Sequence, residues 1–157
     1  MNTTTHTRDS LADSLREYAA GWQRLLRDPG LGSRRTGVPA WSPLERGCHV
    51  RDMCLLFPLR LDAILGAPPI APMPSAAGPE VRYRDEEPLR VAGELGRAAA
   101  ALADRLATLT ADDWDRHDPR LADPRLTVEF LTRHLVHDIA HDLAEAGRAT
   151  HRANKGS

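Results

Sequence analysis

Lysine is nearly absent from the sequence, aromatics are few, cysteines number two, and no apolar run approaches a membrane span. A bilayer-crossing helix needs about 20 consecutive apolar residues, so no membrane partner is expected. The first ten residues, Met1 to Ser10, are polar rather than a basic stretch followed by an apolar one, which reads as a cytoplasmic protein without a secretion signal. Net charge is as scarce: 21 basic and 22 acidic side chains leave −1. Without a basic patch, electrostatic binding of nucleic acid is not expected. Twenty of the basic residues are Arg and Lys155 is the one Lys, a bias that coding composition explains as well as chemistry does. Cys48 and Cys54 lie six apart in one predicted helix. A rise of about 9 Å puts them beyond disulfide reach, so both are expected as thiols.

What is present is helical periodicity. The 157 residues, 41% hydrophobic, suit a single domain over 1–157, with a core from about 8 to 148 and a frayed tail over 150–157. Leu11, Leu15, Tyr18, Trp22 and Leu25 recur at steps of three and four, predicting a helix from about Asp9 to Asp28. Ser42-Pro43-Leu44-Glu45 is a helix start: an N-cap hydroxyl, a proline at the first helical position and a glutamate three residues after the cap. The face of this second helix is expected to include Leu44, His49, Met53, Leu56 and Ile64, with a bend near Phe57 caused by Pro58. From Gly66 to about Glu80, Pro, Ala and Gly without periodicity read as a long crossover.

A third helix starts near Asp85 or Pro88 and carries Val91, Leu95, Ala98, Leu102, Leu106 and Leu109. Thr110 to Asp113 can cap a short turn holding Trp114, and a polar loop from His117 to Arg125 follows. The last helix opens at Thr127 and is expected to stop at Gly147, where a left-handed cap is available. Four long amphipathic helices, with no strand alternation and no repeat, predict an all-α four-helix bundle with a crossover connection.

Three of the seven histidines, His134, His137 and His141, fall within about 60° on the wheel of the last helix. His137 and His141 have the i, i+4 spacing that lets two imidazoles meet one ion. His49 is the candidate third ligand, because it shares a face with Met53 and Leu56. Three imidazoles leave a coordination position open, and Zn²⁺ or Ni²⁺ suits the nitrogen set. The same pair equally reads as two solvated histidines opposite the arc of Leu135, Val136, Ile139 and Leu143. Phe130 and Ala144 on the histidine side argue for partial enclosure. Asp52, Asp138 and Asp142 are candidates to orient ligand imidazoles, and equally read as solvated carboxylates. Arg60, one turn past Leu56, is the candidate to meet an anionic group of a cofactor or substrate, or else a snorkelling surface arginine.

The stretch from Trp41 to His49, the segment Leu109 to Trp114 and the run Thr127 to His141 together resemble the DinB-like and mycothiol-dependent maleylpyruvate isomerase N-terminal-domain superfamily of metalloenzymes. The resemblance covers residues 8 to 148. It implies a metal held by His49, His137 and His141, and a low-molecular-weight thiol such as mycothiol as cofactor. The isomerase branch has glutamate at a last-helix position where this chain has His137, so the three-histidine set is nearer the DinB-like branch. The activity implied is a metal-dependent thiol S-transferase or isomerase acting on a small electrophile, with the metal lowering the thiol pKa. A metal-dependent hydrolase would use the same site with water. The competing reading is a small-molecule-binding or stress-response protein with a structural or vacant metal site, whose outer face can serve a homodimer.

Overall fold

The computed structural model describes residues 3–31, 42–66 and 83–155. It is all-helical: α1 (Thr3–Leu26), α2 (Pro43–Ile64), a 3-10 turn at Tyr83–Asp85, α3 (Pro88–Ala107), the one-turn α4 (Ala111–Asp115) and α5 (Val128–Lys155). Among the described residues the only β pairing is an isolated bridge between His117 and Thr127.

The local signals explain where helices begin. Ser42 caps α2 by a reciprocal box: its hydroxyl accepts from the Glu45 amide at 3.2 Å, and the Glu45 carboxylate accepts from the Ser42 amide at 3.2 Å. Thr110 and Asp113 build the same box for α4, and Glu87 caps α3. After α1, the Asp28 carboxylate accepts from the Gly30 amide at 3.0 Å and turns the chain.

Three expectations need correction. First, α1 begins at Thr3 rather than near Asp9. Second, α2, one helix that holds Pro58 within it, buries Gly47, Cys48, Val50, Arg51, Cys54, Phe57, Leu61 and Ile64, while Leu44, Met53 and Leu56 of the expected face are half-buried. Third, α5 does not stop at Gly147 but continues to Lys155. Gly147 has no positive φ, so the chain never uses its left-handed option, and buried Ala146 keeps that turn packed.

Side-chain pairs fix the directions of the four long helices. Arg16 reaches Asp104 at 2.9 Å and Gln23 reaches the Ala92 carbonyl at 3.2 Å, so α1 and α3 are antiparallel. Arg51 lies beside Glu94 and Asp62 pairs with Arg105, so α2 and α3 run parallel. Arg8 pairs with Glu129 and the Trp22 indole donates to the Ile139 carbonyl at 3.4 Å, so α1 and α5 are also parallel. Arg46 bonds Asp142 at 3.1 Å at one end while Arg60 and Leu131 share a groove at the other, so α2 and α5 are antiparallel. A parallel α2 and α3 is what a crossover produces; the connection itself, 67–82, lies outside the described residues.

Each of α1 and α2 packs on both α3 and α5, which places the core at the centre of a square of helices. Trp22, Leu15, Leu61, Leu95, Leu102 and Ile139 fill it. Removing such side chains from water stabilises the fold by roughly 1.5–3 kcal/mol each.

Candidate functional site

A groove opens along the outer edge of the α2–α5 contact. Met53, Leu56, Phe57 and Arg60 line it from α2; Leu131, His134, Leu135 and Asp138 line it from α5. Its volume is about 280 Å³. Buried Phe57, Leu131 and Leu135 form its floor, and half-buried Met53 and Leu56 form a wall. This is why the apolar stripe read from α2 falls short of the core: it is the margin of the groove.

The polar groups are few. His134 Nε2 lies 3.2 Å from Asp138 Oδ2, one helical turn away. Arg60 Nε approaches Asp118 Oδ2 at 4.0 Å. Asp118 is buried in the loop before α5 and is gripped by Arg120, whose Nη2 and Nε donate at 2.7 and 2.9 Å and whose backbone amide donates at 2.9 Å. Those hydrogen bonds hold the Asp118 carboxyl below the usual carboxylate range, with Arg60 adding to the effect.

The histidines proposed as ligands stand elsewhere. His49 is half-buried on α2, one turn before Met53. His137 and His141 are exposed on α5, on the side away from the buried Val128, Leu135, Ile139 and Ala146. The enclosure expected from Phe130 and Ala144 is absent, since Phe130 is 49% exposed and Ala144 is exposed too. Among the described residues, no three His, Cys, Asp or Glu side chains stand close enough to hold an ion. His49, His137 and His141 are thus not gathered into one cluster in this structure. The three aspartates have other partners: Asp52 accepts from Arg51 and Tyr83, Asp138 faces His134, and Asp142 accepts from Arg46.

Arg60 lines the groove. His134 was set aside in the ligand assignment and turns out to face the groove with Asp138. The signal was available: His134 and Asp138 are i, i+4 on one helix, a spacing that pairs side chains as surely as that of His137 and His141.

A second polar cluster is closed on itself. Buried Arg51 makes a two-pronged contact with Glu86, 2.7 Å at each nitrogen, and donates from Nε to Asp52 at 3.0 Å. The Tyr83 hydroxyl donates to Asp52, and the Cys48 thiol faces the Tyr83 carbonyl at 3.8 Å. The hydrogen bonds from Arg51 hold Glu86 below its ordinary pKa. This network ties residues 83–86 onto α2, with each strong donor already engaged. Both thiols are buried, and burial pushes Cys54 up to about 12 and pushes Cys48 up as well, which disfavours the thiolate form.

The chain matches no protein-family model, and comparison with curated proteins and with solved structures returns no match.

Proposed function

We propose that this chain is a small-molecule-binding protein on a four-helix bundle of the DinB-like kind, with its ligand in the α2–α5 groove. The observation that supports this reading is an apolar trough of about 280 Å³ between α2 and α5, with Arg60, His134 and Asp138 at its rim. Small-molecule sites are typically apolar hollows oriented by a few polar groups. N-phenyl-1-naphthylamine, a neutral apolar fluorophore, is expected to brighten and saturate at one site per chain. Met53→Trp fills the half-buried wall and is expected to weaken that binding at least tenfold with the helical circular dichroism unchanged. Equal binding by the variant would contradict the reading.

The metal-dependent thiol S-transferase or isomerase implied by resemblance is a second proposal, favoured by one observation. The Arg46–Asp142 bond on one side and the groove on the other put His49 level with the turn that holds His141. It requires α5 to turn so that His137 and His141 face His49. Metal analysis separates the two: about one equivalent of Zn or Ni per chain, lost in His137→Ala, would favour the metal reading, whereas ligand binding indifferent to chelation is expected of the groove.

A further inference from the structure

The groove's polar rim carries a cation, Arg60, that pairs with Asp118 by charge alone. Asp118 is only 2% exposed at its side chain and is satisfied by Arg120 through two guanidinium bonds and one backbone bond. Arg60 stands 4.0 Å from the same carboxylate, beyond hydrogen-bond length, and among the described residues its guanidinium makes no hydrogen bond. Asp118 therefore orients Arg60 without consuming its donors. The opposite charge in the groove, Asp138, already faces His134 at 3.2 Å. The net result is an apolar trough with one planar, two-pronged donor at its edge.

A guanidinium of this kind matches a carboxylate in shape and charge, and the contact gains strength beside apolar walls where water is partly excluded. We propose that the groove's ligand is a small apolar carboxylate, its hydrocarbon body on Phe57, Leu131 and Leu135 and its head on Arg60. The inference rests on the binding reading above and adds the class of ligand. A neutral ligand would leave Arg60 unused, and a cationic one would be repelled by Arg60 and have only Asp138, whose Oδ2 already lies against His134, to turn to.

Displacement of N-phenyl-1-naphthylamine by octanoate, octanol and octylamine tests the proposal. Octanoate is expected to compete at least tenfold better than the other two, with an advantage that shrinks as salt is raised. Arg60→Met is expected to reduce octanoate to the level of octanol when each is scored against that variant's own affinity for the fluorophore, and Arg60→Lys to restore part of the preference. Equal competition by octanoate and octanol in the unaltered protein would overturn the carboxylate assignment and leave the groove as an apolar site. Failure of the fluorophore itself to bind would remove both.

Discussion

Arg51 shows how far a single residue departs from what hydropathy suggests. It sits in the buried face of α2, 7% exposed, and faces three carboxylates: Glu86, Asp52 and Glu94. Arg51→Met keeps the volume and leaves those carboxylates facing one another, so it is expected to cost about 3 kcal/mol in urea unfolding at neutral pH. Glu86 supplies the pH dependence. Its folded-state pKa is lowered by Arg51, so its stabilisation is present above the unfolded carboxylate value of about 4.3 and disappears as pH falls through the lower folded value. The Arg51→Met variant is expected to lose that component, which unfolding midpoints between neutral and acidic pH would register as a shallower slope. The two thiols give a simpler check. Native protein at pH 8 is expected to leave Ellman's reagent unreduced for minutes and to release two thiols per chain in denaturant; rapid labelling of the native state would contradict their burial. Sequence reading gives both cysteines as thiols, as the structure does. It could not anticipate Arg51, because the partners Glu86 and Glu94 come from beyond a connection whose path periodicity does not encode.

At the scale of elements, helix starts marked by capping boxes were legible, while the start of α1 and the end of α5 were not. Capping boxes are local chemistry, so Ser42 and Thr110 announced α2 and α4 in a few residues. Ser42→Ala is expected to cost about 1 kcal/mol in thermal or urea unfolding. Gly147 misled because a glycine stops a helix only if the chain turns left-handed there. In α5 it does not, and a Cβ added at Gly147 would meet nothing within 4 Å. Gly147→Ala is accordingly expected to stabilise the protein by about 0.5–1 kcal/mol. A loss of stability on that substitution would restore the left-handed cap. The stripe of α2 was misread for a related reason. Gly47, Cys48 and Arg51 form part of its core face, and a rule that follows large apolar residues tracks the groove margin of Met53 and Leu56 instead.

For the whole molecule, the all-helical class followed from periodicity alone, and the long second connection agreed with a parallel α2 and α3. What periodicity could not supply was the rotation of α5 about its own axis. Spacing puts His137 and His141 on one face, but packing of Leu135 and Ile139 decides that this face looks outward. The same rotation brings His134 and Asp138 to the groove. Trp22 and Trp114 belong to one continuous core with all the long helices, so tryptophan fluorescence and circular dichroism are expected to report a single coincident unfolding transition. The most direct test of the account follows amide NMR resonances during titration with octanoate. Saturating shifts confined to residues 53–60 of α2 and 131–138 of α5 are predicted, and they are expected to vanish in Met53→Trp. Shifts centred on His49, His137 and His141 after addition of zinc, with none at the groove on addition of octanoate, would contradict it.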